Sequence, residues 1–162
     1  MFDAIAYFQN IHDTLKATKD DFYFCKVSGM SYLEQVIQNA KRYRNFFAVD
    51  DIDDGVTFEG GGSGYYERRT YTVFLLMHYG DYGDIDARNN TISQAREIYR
   101  KILSKIIYDK VYSAQGLRYM NTDQIKFNEL PGHLLTGFTG FYFTISVDNP
   151  VDLSYDASEW TE

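Results

Sequence analysis

Between Tyr65 and Tyr79 the sequence reads YYERRTYTVFLLMHY, fifteen residues with no glycine or proline. The aromatic and β-branched content makes it a strand. In VFLLM consecutive residues are apolar, and strand side chains alternate between faces, so both faces of this strand must be covered. At about 3.3 Å per residue the stretch spans roughly 45–50 Å, longer than a small core needs. Its polar first half, YYERRTY, is therefore expected to project beyond the body.

The flanking segments supply the layers. Phe2, Ile5, Ala6, Phe8, Ile11 and Leu15 recur at helical spacing, with Asp3, Gln9, Asn10 and Asp13 largely opposite. Phe22, Phe24 and Val27 alternate as a short strand, and Ser31 with Glu34 reads as a capping box opening a helix over 31–43. FFAVDDI and VTFEG predict two strands joined by a turn at Asp53-Asp54-Gly55. GGGSG at 60–64 is a mobile hairpin tip, since glycine loses the most entropy on ordering.

After the break at GDYGD, a stripe from Ile92 through Ala95, Tyr99, Ile102 and Ile106, flanked by Ile98, Leu103 and Ile107, predicts a helix over 86–112 roughly 40 Å long. LRYM and QIKFNEL follow as strands, with Pro131-Gly132 as a turn. In the closing strand at 138–147, Phe141, Phe143, Ile145 and Val147 share a face, and Asn149-Pro150 ends the sheet. The expected fold class is α+β, a mainly antiparallel sheet packed by one long amphipathic helix and two shorter N-terminal helices, with a protruding β-hairpin. Residues 1–150 form one domain, and 151–162 an irregular acidic tail.

With 162 residues, 44% hydrophobic and 24% charged, the chain suffices for one globular core without disulfides or metal. The formal charge of −7 disfavours nucleic-acid binding. The basic clusters, Arg68-Arg69 and the series Arg96, Arg100, Lys101, Lys105, lack the interleaved aromatics of a single-strand groove. Fifteen tyrosines suit either sheet edges or surfaces that become covered on assembly. The N-terminus lacks the basic residues of a signal peptide, and no apolar run reaches membrane-spanning length. Synthesis in the cytosol is the expectation.

Signatures of chemistry fail on spacing. Gly55 set at position six of a calcium loop puts Asp50 and Asp54 at ligand positions, but Ile52 and Gly61 fall where oxygen ligands belong. One cysteine and three histidines, His12, His78 and His133, show no zinc spacing. His78 reads as a structural histidine in a covered strand. His12 reads as adjacent to Asp13 without facing it, and Cys25 as a small core residue. The glycine run lacks the Lys-Ser/Thr of a phosphate loop and leads into a strand. No catalytic residue, metal ligand or cofactor is assigned, and the chain is expected to be no enzyme.

The order of parts (a leading helix, a long glycine-tipped hairpin, the central YTVFLLMHY strand, one long amphipathic helix and the closing FTGFYFTISV strand) resembles the tail terminator and tail-completion proteins of long-tailed phages, and related head–tail joining proteins. The resemblance spans roughly residues 1–148 and lies in layout, with GGGSGYYERR at 60–69 in the place of the family's protruding hairpin; the helix at 31–43 and the tail after Pro150 depart from it. It implies a ring, commonly of six copies, between tail-tube and head-connector proteins, in the virion and in the host cytoplasm during assembly. DNA would pass through without specific binding. The interface expected on this basis comprises Gly60, Gly61, Gly62, Ser63, Gly64, Tyr65, Tyr66, Arg68, Arg69 and Trp160. The alternative reading is a small acidic binding module, of the immunity or regulatory kind, that masks a basic partner; Asp50–Asp54 and Trp160 motivate it.

Overall fold

The structure is a computed structural model that describes residues 2–40, 44–51, 54–62, 64–80, 83–112, 116–130 and 137–161. Asp53, Ser63, Pro131, Gly132 and His133, and the end of the predicted 31–43 helix, lie outside the described residues. The fold is α+β, a mixed, mostly antiparallel seven-stranded sheet with one long and two shorter helices.

Two fourteen-residue strands make the spine. We number the strands in chain order as β1 (Tyr23–Val27), β2 (Asn45–Asp50), β3 (Asp54–Glu59), β4 (Tyr65–His78), β5 (Met120–Asn121), β6 (Phe127–Leu130) and β7 (Phe138–Val151). β4 and β7 pair antiparallel along their full length, from Tyr65 opposite Val151 to His78 opposite Phe138. Each carries two short strands end to end on its other edge. β2 pairs with Val73–Met77 and β3 with Tyr65–Thr70 of β4. β6 pairs with Gly140–Phe143 and β5 with Ser146–Val147 of β7.

The turn predicted at Asp53-Asp54-Gly55 is therefore corrected. Asp54 and Gly55 open β3, and β2 and β3 never pair with each other. β4 is long enough to take both in succession, and since both run antiparallel to it, β2 and β3 point the same way. Asn149 and Pro150 also belong to β7. Tyr66 directs its backbone towards β3, so the facing Pro150 sits at a position where β4 asks for no donor, and the missing N–H falls on the outer edge.

The helices are α1 (Ala4–Thr14), α2 (Gly29–Asn39) and α3 (Ile85–Tyr112). On one face of the sheet, α1 and α3 cover Phe47, Val73, Leu75, Phe141, Phe143 and Ile145. On the other, α2 covers Phe46, Ala48, Phe74 and Leu76 together with Cys25 and Val27. VFLLM is thus buried from both sides, as its unbroken apolar pattern requires. β1, α2 and β2 form a strand–helix–strand unit, which is why β1 and β2 run parallel.

Several local expectations change. α2 starts at Gly29, so Ser31 lies inside the helix and cannot form the capping box; the N-cap is Ser28. LRYM splits into a 3-10 turn at Leu117–Tyr119 and the two-residue β5, and QIKFNEL is strand only from Phe127. Ile107, expected beside the core stripe of α3, is half exposed, one position round the helix from the fully buried Ile106.

Candidate assembly interface

At one end the sheet is a three-stranded arm: β3, the first half of β4 and the end of β7. Its turn is closed by the Gly60 N–H donating to the Gly64 carbonyl at 2.8 Å. Gly61, Gly62 and Gly64 all have positive φ, between 52° and 94°, so the tip needs glycine for its backbone conformation. Tyr65–Thr70 was expected to project with open edges; instead its backbone is bonded on both sides, by β3 and by β7. The arm's edges are β3 on one side and the outer side of Asp148–Val151 on the other, where Pro150 lacks a donor; β3 is the longer of the two. Among the described residues β3 pairs only with β4, and five of its six residues are exposed. Counted from the Gly60–Gly64 bond, the ladder turns the backbone groups of Gly55, Thr57 and Glu59 outward.

The arm is stiffened by its own side chains. Arg68 donates to both carboxylate oxygens of Asp148, from Nε at 2.6 Å and Nη2 at 2.9 Å, tying β4 to β7. The bonds to Asp148 raise the Arg68 pKa. Its guanidinium also lies 5.1 Å from the Phe58 ring centroid, and Phe58 stacks on Tyr66 at 5.9 Å. Arg69 donates to Glu67 and Thr70 bonds Ser146. Arg68 and Arg69 thus do not offer two unengaged cations for a nucleic acid. Asp148→Asn is expected to cost at most about 1 kcal/mol, since Arg68 is a third exposed. Amide exchange at Asn149 and Val151 should nevertheless quicken; unchanged exchange there would mean that the ion pair does not hold the arm together.

Phe58 and Tyr66 also floor an open cleft of about 430 Å³, walled by Lys110, Tyr119 and Asp123. It has room for a side chain or two from a neighbouring molecule. Tyr65 stands exposed at the tip.

Trp160 is not part of the arm's side-chain cluster. It lies in the segment after Val151, which leaves the sheet at the arm's tip, opposite Tyr65. That segment is mostly irregular, with a 3-10 turn at Ala157–Glu159, and Trp160 stacks on Tyr155 at 6.0 Å. No protein-family model matches this chain, and no curated protein is similar to it.

The remaining candidates for chemistry have structural surroundings. His12 is buried, and, contrary to the sequence expectation, it does face Asp13. Its Nδ1 lies 2.7 Å from Asp13 Oδ1 and its Nε2 2.9 Å from the Phe22 carbonyl, pinning the end of α1 to the start of β1. His78 is exposed at the end of β4, against Phe138, and is not covered as predicted. Burial pushes the Cys25 thiol up to about 12, so at neutral pH it is not a thiolate. Asp50 and Asp51 face the start of α2, accepting from the Gly29 N–H and the Ser28 hydroxyl; carboxylates suit a helix N-terminus. Among the described residues, no three His, Cys, Asp or Glu side chains converge as a metal site would require. No helix of the described residues is long and apolar enough to cross a membrane.

One surface went unread in the sequence. On the last two turns of α3, Ile107, Tyr108, Val111 and Tyr112 are all exposed, and Tyr108 and Tyr112 touch at 4.8 Å. The signal was available: apolar residues at 107, 108, 111 and 112 repeat at helical spacing away from the core stripe.

Proposed function

We propose that this chain is a structural protein of a long-tailed phage or prophage that acts in tail termination or head–tail joining by assembling into a ring. The observation that carries the reading is the free outer edge of β3. An exposed edge strand is a template for pairing with another chain, and here it forms one side of a stiff arm beside an open cleft. When one copy's edge meets a different surface of the next, head-to-tail contacts of this kind close into rings. Tail-tube and head-connector proteins are the expected partners, six the expected copy number, and the virion the destination. The net charge of −7 suits a ring through which DNA passes without adhering.

Thr57→Pro tests the edge. Thr57 turns its N–H away from β4, so proline there removes an outward donor and no bond of the monomer's own ladder. The variant should stay within a few degrees of the parent Tm and yet lose self-association in analytical ultracentrifugation. If it assembles as well as the parent, pairing through β3 is ruled out. A parent chain that stays monomeric at every concentration and ignores tail-tube protein sinks the reading itself.

A second reading is favoured by Trp160, which is 67% exposed among Asp156 and Glu159. Such a segment fits a small acidic module that masks a basic partner, Trp160 serving as the anchor. A tight one-to-one complex with a basic nuclease, together with no self-association, decides for it.

A further inference from the structure

The chain exposes two complementary surfaces that it does not bring together. The first is the outer face of the C-terminal half of α3, where Val111 is 65% and Tyr112 74% exposed beside Ile107 and Tyr108. From 100 to 112 this half carries Arg100, Lys101, Lys105 and Lys110 against Asp109 alone. Asp109 is buried, and among the described residues Lys101 has no ion pair. The second surface is the segment 152–161. All ten residues are exposed, including Leu153, Tyr155 and Trp160, and it bears Asp152, Asp156 and Glu159 with no basic residue.

We infer that residues 152–161 of one copy lie along the outer face of α3, residues 100–112, of the neighbouring copy. The inference rests on the self-assembly reading and names one of its contacts. Each surface has what the other lacks. Leu153, Tyr155 and Trp160 offer apolar anchors to Ile107, Tyr108, Val111 and Tyr112, and the three carboxylates meet the basic flank. Reach is sufficient, since ten extended residues cover about 33 Å and the twelve helical positions from Lys101 to Tyr112 about 17 Å.

The segment is also partly shaped in advance. Asp152 Oδ1 accepts from the Ser154 amide and hydroxyl, and Asp156 Oδ1 does the same with Ser158. Those bonds hold both carboxyls below their usual pKa, so both stay charged at neutral pH. Within one copy the segment leaves the sheet at the arm's tip with all ten residues exposed, and α3's face is exposed as well. The occupant of that face is therefore assigned to the neighbour. A donor segment on one copy and a receptor face on the next is a heterologous contact, the kind that closes a ring.

Two variants separate the halves of the contact. One ends at Val151 and has no donor segment; the other carries Ile107→Asp and Val111→Asp and has no receptor face. Circular dichroism and Tm should match the parent, because every altered position among the described residues is exposed. In sedimentation each variant alone should associate at least tenfold more weakly than the parent. An equimolar mixture should form a heterodimer, since one partner keeps the face and the other the segment.

Trp160 is the single tryptophan, and the shortened chain has none, so emission from the mixture reports only on the donated segment. A blue shift on mixing supports the contact. If the shortened chain associates as tightly as the parent, the inference is overturned while ring assembly stands. If Trp160 is already blue-shifted in a dilute monomer, the segment covers its own α3 and the inter-copy contact is wrong. A parent that never associates and keeps red-shifted Trp160 emission removes both proposals.

Discussion

Gly140→Ala should cost this protein about 4 kcal/mol or more, combining the 1–3 kcal/mol typical of core overpacking with a similar cost for backbone strain. Gly140 sits in β7 at φ +147°, and a Cβ built there falls 1.9 Å from the Leu75 carbonyl oxygen and 3.0 Å from its carbon. Those atoms are β4 backbone, so no side-chain rotation relieves the clash. β4 and β7 would have to part at Leu76–Gly140, two pairs from the His78–Phe138 end of the ladder that organises the sheet. For a domain of this size the loss corresponds to a fall in Tm of roughly 8–16 °C. Gly55→Ala is the control. Its Cβ meets only the Arg68 carbonyl, at an ordinary 3.5 Å, and it lies in the exposed β3. Thermal melts that give the two substitutions the same small shift would show that β7 can move away from Leu75, and that the close approach of the two long strands is not needed for the fold.

The features read correctly from sequence are those whose cause is local. VFLLM required cover on both faces because adjacent strand residues point oppositely, and the 3.6-residue stripe placed α3 to within one residue at its N-terminal end. What failed depends on a distant partner. Asp53-Asp54-Gly55 has the chemistry of a hairpin turn, but whether β2 folds back on β3 or runs on beside β4 depends on the length of edge that β4 offers. Asn149-Pro150 looked like a terminator because proline lacks a donor; the register with Tyr66 makes that donor unnecessary.

At the candidate site, the glycine tip and Tyr65, Tyr66, Arg68 and Arg69 were legible as one hairpin. Which edge stays open was not, because β7 covers β4 from about eighty residues away in sequence. Ile107, Tyr108, Val111 and Tyr112 were overlooked for a different reason. An apolar residue in a long helix is readily assigned to the core until burial shows that Ile106 already occupies that position.

Raising the pH from 9 towards 12 should strip this fold of stability, of the order of 7 kcal/mol in all, through two buried acids on opposite faces of the sheet. Cys25, under α2, is pushed by burial from an ordinary 9 to about 12. Tyr7, under α3, is driven well above its ordinary value of 10, first by burial and then by its hydroxyl donating to Asp109 at 2.9 Å; ionising it would set two negative charges against each other. Lys105, 2.5 Å from the other Asp109 oxygen, completes this link between α1 and α3.

Both folded-state values lie above the unfolded ones. The stabilisation is therefore fully present below about pH 9 for Cys25 and below about pH 10 for Tyr7, and each group removes about 1.4 kcal/mol per pH unit above its threshold. Buried Tyr99 moves in the same direction. Urea denaturation under reducing conditions should show the midpoint falling from pH 9 and steepening above 10. Cys25→Ala should delay the onset, and Tyr7→Phe should flatten the slope above pH 10, although it lowers stability at pH 7 by about 1 kcal/mol for the lost hydrogen bond. If Tyr7→Phe instead follows the parent's decline unit for unit, the phenol is not held neutral between α1 and α3, and the link to Asp109 is not what joins the two helices.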